Sequence, residues 1–140
     1  MSKENWLAEV TWNEGYLFLG SDTSGHVVVY DSSDGTPKGI SPMRAVLTSL
    51  GACTGMDIVA ILGKRKQKLK SLKILVSGER PEHGLPKPWA RIHIKYVLSG
   101  DHLETKYVEE AIRDSTEKFC SVGATLQPTA KITHSYEILA

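Results

Sequence analysis

The spacing of apolar residues changes several times along this chain, and each change marks a new element. Trp6 to Trp12, Tyr16 to Gly20 and His26 to Asp31 are short runs rich in aromatic and β-branched residues, parted by Asn13-Glu14-Gly15 and Asp22-Thr23-Ser24-Gly25. Runs of this kind bounded by turn formers predict a three-stranded antiparallel meander. Ser32 to Ile40, with Asp34-Gly35, Pro37 and Gly39, follows as a loop. From Ser41 to Gln67 the spacing becomes helical, with Ser41 suited to cap the helix and Pro42 to its first position, where a missing N–H costs nothing. Val46, Leu47, Leu50, Ile58, Ile61 and Leu62 form one apolar stripe, and Ala45, Ala52, Met56, Val59 and Ala60 carry it around most of the circumference. Such a helix is expected to be covered on several sides. Gly51 and Gly55, one turn apart, each cost about 1 kcal/mol relative to alanine in a helix, so they mark places where another backbone comes close. A second copy of the same helix is one candidate for that neighbour.

Beyond this helix the period returns to two. Ser71 to Arg80 places Leu72, Ile74 and Val76 on one face and Lys73, Leu75 and Ser77 on the other. Pro81 to Pro88, with three prolines and a glycine, is a loop, and Trp89 to Ser99 is the partner strand of a long hairpin, Ile92, Ile94, Tyr96 and Leu98 sharing its inner face. A second helix is expected to begin near Asp101, capped by that carboxylate with Glu104 reaching back. Its core stripe reads Val108, Ala111, Ile112, Ser115 and Phe119, against an opposite face of Lys106, Glu109, Glu110, Arg113, Asp114, Glu117 and Lys118. Cys120 ends it, a short further helix follows before Pro128, and Ala130 to Leu139 reads as a last strand. The class is α+β, a single domain over residues 1–140 with no internal repeat.

Charge and composition remove several functions. Seventeen basic residues against 16 acidic ones leave a net charge of +1, too little field to attract nucleic acid or an anionic membrane. Ala45 to Leu62 has the length of a membrane span, but Asp57, two glycines, several hydroxyls and the lack of flanking aromatics argue for a core helix. The opening MSKENWLAEV lacks the apolar centre of a signal peptide, so a cytoplasmic setting is expected, with both cysteines as thiols at rest. None of the five histidines stands at metal-ligand spacing from another histidine or a cysteine, and no metal or other cofactor is expected. The basic run Lys64, Arg65, Lys66, Lys68 and Lys70 suits the negative end of the helix dipole.

Chemistry, if any, rests on Cys53 and Cys120, 67 positions apart (120 − 53). Free cysteines are among the most buried residues, so composition alone favours inert packing. Context points the other way. Cys120 stands before a short helix, an environment that lowers a thiol pKa, and Cys53 shares a side of its helix with Ser49 and Asp57, a polar strip of the kind that lines a cavity. A carboxylate near Cys53 would raise that thiol's pKa unless a cation intervened.

The segments SPMRAVLTSLGACTGMDIVAIL and EKFCSVGATL resemble the two cysteine motifs of the OsmC/Ohr superfamily of thiol-dependent hydroperoxide reductases. Gly25-His26 in the meander, Gly78-Glu79-Arg80 after a strand and the proline-rich link also fit, most closely the YhfA-like branch. The resemblance covers essentially the whole chain. It implies an α+β fold in which two chains intertwine as a homodimer, their long central helices packed together and two equivalent sites at the interface. It further implies that Cys53 is oxidised by a small hydroperoxide to a sulfenic acid, that Cys120 resolves it as a disulfide, and that an external dithiol resets the pair. Met43, Arg44, Met56 and Asp57 are the expected substrate contacts.

Two departures accompany the match. Met43 stands where the peroxidase branches place a glutamate, and no arginine precedes Arg44, so the arginine those branches hold against the thiolate is missing. Fold and dimer are unaffected by this, but the reaction is expected to be slower by ~10²-fold or more if those groups supplied ~3 kcal/mol. Two other functions compete with a peroxidase. One is a binding module that holds a small ligand near Cys53 without turnover, and the other is a nucleic-acid module using Lys64 to Lys70, against which the even charge balance argues.

Overall fold

The computed structural model describes residues 5–140. Residues 1–4, part of the stretch read for a leader, lie outside the described residues. Nine regular elements follow in order: β1 (Ala8–Glu14), β2 (Leu17–Asp22), β3 (Val27–Tyr30), α1 (Pro42–Lys64), β4 (Lys68–Glu79), β5 (Arg91–Asp101), α2 (Thr105–Asp114), α3 (Ser121–Leu126) and β6 (Lys131–Ile138). They group into two compact units, Met1–Val46 and Leu47–Ala140.

In the first unit β1, β2 and β3 pair antiparallel in sequence order, as the alternating runs require. The loop after β3 is closed by Asp31, a buried carboxylate that accepts the N–H groups of Ser33 (2.8 Å) and Lys38 (2.9 Å). Those bonds hold its pKa below the usual carboxylate range, the Lys38 N–H contributing most. Ser41 then accepts the N–H of Arg44 on its hydroxyl (3.3 Å) and starts α1 as its cap. All seven residues of β1 are exposed, Val10 and Trp12 among them.

In the second unit β5 lies between β4 and β6, antiparallel to the first and parallel to the second. A central strand is covered on both edges, and its inward residues Ile92, Ile94, Tyr96 and Leu98 are all buried. With Leu47, Leu50, Ile58 and Leu62 of α1 and Val108 and Ala111 of α2 they form one core. Each large apolar side chain removed from water there contributes about 1.5–3 kcal/mol. α1 is long and apolar enough to cross a membrane, yet Leu50, Ile58 and Leu62 are spent on this core.

Within the chain α1 is covered on one side, and Ala52, Met56 (72% exposed), Val59 (54%) and Ala60 face outward. Three expectations are corrected. The close neighbour at Gly51 and Gly55 is strand β4 of the same chain, because a Cβ there would meet Val76 Cγ2 at 3.3 Å and Ile74 Cδ1 at 2.8 Å. Asp101 caps nothing. The hairpin ladder runs past the expected end of β5, so Asp101 is the strand's last residue, pairs with Lys68 and holds Lys70 Nζ at 2.8 Å. Glu104 is the helix cap instead, its N–H donated to Gln67 Oε1 at 2.8 Å.

The third correction concerns Phe119, which is 55% exposed. Residues Ser115–Phe119 form a π turn, closed by the Cys120 N–H on the Ser115 carbonyl at 2.8 Å. One extra residue in a turn rotates everything after it by roughly 100° relative to an α-helix. Phe119 therefore leaves the apolar stripe and Cys120, 4% exposed, takes the buried place.

The two helical glycines of α1 that differ in surroundings give a direct check. Gly63 has nothing within 4 Å of its virtual Cβ, so Gly63→Ala is expected to stabilise by about 0.5–1 kcal/mol. Gly55→Ala gains the same helix propensity but must displace Ile74, so thermal unfolding should place it below Gly63→Ala. Equal melting temperatures would remove β4 as the neighbour of Gly55.

Candidate active site

Three elements bring the two thiols together. α1 presents Cys53, the sheet supplies the floor beneath it, and the π turn swings Cys120 inward. Cys53 is half-buried and Cys120 is buried, and Cys53 is among the groups that face the Cys120 thiol. Cys120 also caps α3: its backbone is extended, and its sulfur accepts the N–H of Gly123 at 3.2 Å. Gly123 leaves room for that sulfur, which would lie 3.3 Å from a Cβ at the same place.

Asp57 stands one turn beyond Cys53 on α1, the i to i+4 spacing that aligns side chains on one face. Its Oδ2 accepts the hydroxyl of Ser115 at 2.9 Å, and Ser115 is fully buried. Behind the pair lies Tyr96 of β5, also fully buried, with buried Thr54 beside it and its hydroxyl 3.0 Å from Nδ1 of His134. His134 Nε2 meets Thr116 Oγ1 at 3.1 Å, and that hydroxyl gives its single proton to the Ile112 carbonyl at 2.7 Å. Nε2 is therefore the protonated nitrogen, and Nδ1 accepts the Tyr96 proton.

The electrostatics reverse the expectation for Cys120. The Gly123 N–H does favour the thiolate, but burial opposes it more strongly, and Cys53 and Asp57 add to the opposition. The thiol is pushed up to about 11. Burial likewise pushes Tyr96 to about 12 and lowers His134, with His93 reinforcing the latter. At neutral pH the residues behind the thiol pair are thus uncharged.

Of the residues singled out from the sequence, Cys53, Cys120 and Asp57 come together. Met56 lies on the exposed side of α1. Met43 and Arg44 belong to the first unit, in the first turn of α1, with Arg44 exposed. Sequence reasoning missed Thr54, Tyr96, Ser115, Thr116 and His134. Ser115 and Tyr96 were read as core stripe, and their polar ends gave no separate signal. Among the described residues no three or more of His, Cys, Asp or Glu gather as they would around a metal.

With this geometry in place, comparison with known proteins decides the family. The family described as OsmC-like protein matches residues 35–135. The chain belongs to the OsmC-like family. Protein YhfA of Escherichia coli K12 is 38% identical over 133 residues, covering 95% of this chain and 98% of the relative. A crystal structure of a hypothetical protein from Aquifex aeolicus VF5 superposes with a TM-score of 0.85 at 35% identity, covering 98% of each chain. An organic hydroperoxide resistance protein OsmC from Legionella pneumophila has the same fold, with a TM-score of 0.69 at 11% identity over 98% of this chain and 99% of that one. Both cysteines of this OsmC-like chain fall within the matched segment.

Substituting Cys53 tests the electrostatics of its neighbour. In Cys53→Ser, Cys120 is the single thiol, and its thiolate absorbance should titrate below about 11, because one group holding it up has gone. The midpoint should still exceed the ordinary thiol value, because burial persists. A midpoint at or below the ordinary value would contradict the site.

Proposed function

We propose that this OsmC-like protein is a thiol-dependent reductase of small organic hydroperoxides, working in the cytoplasm through Cys53 and Cys120. One observation carries the reading. A half-buried thiol stands beside a buried one, which is the arrangement an attacking and a resolving cysteine need. A solute reaches Cys53 first. Its thiolate attacks the peroxide, the O–O bond breaks, and with one proton taken up the products are an alcohol and Cys53 sulfenic acid. Cys120 then attacks that sulfur: the S–S bond forms, the S–O bond breaks, and the thiol proton leaves in water. An external dithiol returns two electrons and two protons by disulfide exchange.

The high pKa of Cys120 supports the order of attack. Its thiolate is scarce at neutral pH, and its nucleophilicity is needed only against a sulfur already in contact. On the family resemblance Met43, Arg44, Met56 and Asp57 are assigned to the substrate side. Hydroperoxide resistance is the role named for fold neighbours such as the Legionella protein, and we extend it to this chain.

The working form is a homodimer. The outward strip Ala52, Met56, Val59 and Ala60 on α1 is apolar surface of the kind that interfaces cover, and in the first unit Val10 and Trp12 are exposed as well. A second copy is the occupant that the resemblance implies. Its contact falls on this strip, away from Gly51 and Gly55, whose side β4 already occupies.

Mass spectrometry with a sulfenate trap tests the reaction. Stoichiometric organic hydroperoxide should convert the wild type to an internal Cys53–Cys120 disulfide and leave trappable sulfenic acid on Cys53 in Cys120→Ser. Absence of both at millimolar peroxide would favour the ligand-holding alternative, in which binding survives Cys53→Ser.

A further inference from the structure

Ser115 occupies a place that neither the sequence pattern nor the two-cysteine scheme explains. It is fully buried, and it is the first residue of the π turn. Its carbonyl holds the Cys120 N–H at 2.8 Å, while its hydroxyl reaches across to α1 and gives its proton to Asp57 Oδ2 at 2.9 Å. A single residue thus fixes the backbone of one thiol and the carboxylate next to the other. An apolar residue at this stripe position would satisfy the core equally well, so the hydroxyl needs a reason.

We propose that Ser115 is a positioning residue of the thiol pair, its hydroxyl holding and partly neutralising the Asp57 carboxylate so that Cys120 can attack a sulfur bonded to Cys53. The inference deepens the reading of the two cysteines as a reacting couple. An ionised carboxylate next to a thiol disfavours the thiolate, and a hydrogen bond donated to that carboxylate draws off part of its field. Without the hydroxyl, Asp57 stands in a half-buried place with one donor fewer. The charged and titratable groups facing Cys120 are Cys53 and Asp57 on α1 and Tyr96 on β5, with neutral His134 on β6 behind Tyr96. Asp57 is the only carboxylate among them, and Ser115 is the residue that holds it.

The attack can be followed without any peroxide. Reduced protein treated with an aromatic disulfide, dithiobis-nitrobenzoate, forms a mixed disulfide on Cys53 and releases one coloured thiolate. Cys120 then displaces the second: the Cys53–Cys120 bond forms, the Cys53–aryl S–S bond breaks, the aryl thiolate leaves and the Cys120 proton goes to solvent. In Ser115→Ala the rate-against-pH profile of this second release should move up by about one pH unit, slowing it about ten-fold at pH 8. Adding Asp57→Asn to that variant should bring the profile back to or below the wild-type position. Ser115→Thr and Ser115→Val have the same shape, so any strain in the buried site is common to both, and the threonine should keep the wild-type profile while the valine shifts. A profile that stays put in the alanine and valine variants, or slowing that Asp57→Asn does not relieve, overturns the assignment. Normal two-step release in a protein that ignores hydroperoxide would instead overturn the proposed reaction and leave Ser115 in its role.

Discussion

Leu50, Ile58 and Leu62 on α1 and Ile92, Ile94, Tyr96 and Leu98 on β5 form the contact on which the rest of the second unit depends. All seven are essentially without exposure. Two periodicities have to agree for this to happen: three to four residues per turn on the helix and two per step on the strand. Gly51 and Gly55 are part of the same constraint. They open the side of α1 toward Ile74 and Val76 of β4, at a cost of about 1 kcal/mol each in helix propensity, which closer packing of sheet on helix offsets. Once α1 is seated in this way, the direction in which Cys53 and Asp57 point is no longer free.

The π turn completes the arrangement. α2 is amphipathic, and its stripe would continue to Phe119 if the helix ran on undisturbed. Widening the turn exchanges an aromatic residue for a sulfur in the core, an unfavourable trade in apolar area that makes sense where the sulfur is needed. The same turn explains the electrostatics. A thiol at a helix cap in water gains acidity, but this one is enclosed before the cap can act, next to a second thiol and a carboxylate. Cys53 and Cys120 consequently differ in access and in acidity, as the two steps of the proposed reaction require.

Elements set by local pattern were legible in the sequence. The meander, the hairpin with its proline-rich loop, the capped start of α1 and the short helix after Cys120 all follow from spacing and turn residues, within a few residues at their ends. Features set by distant partners were not. Gly51 and Gly55 announced a close neighbour without naming it, because a glycine records the absence of a side chain and nothing about what fills the space. Asp101 had the spacing of a cap, and the longer β4–β5 ladder took it into the strand. The period that placed Phe119 in the core assumed an unbroken helix, and nothing local to that segment marks the extra residue. Tyr96, His134 and Thr116 come from β5, β6 and the π turn, and their hydrogen bonds exist only once the sheet has formed. The position of Cys53 and Cys120 as a pair came from the family motif, and the burial of Cys120 corrects the acidity expected for it.

The central claim is that the π turn, by rotating Cys120 into the core, makes the two cysteines a couple. Inserting one alanine after Glu117, an exposed residue within the turn, adds a further residue ahead of Cys120 and rotates it by roughly another 100°, away from the core. Both forms can then be oxidised with a small disulfide-forming reagent such as diamide and weighed intact, with near-ultraviolet and far-ultraviolet circular dichroism establishing that the lengthened chain is folded. The account predicts that the natural chain closes an internal Cys53–Cys120 disulfide and that the folded insertion variant does not. Equal closure in the two would contradict it.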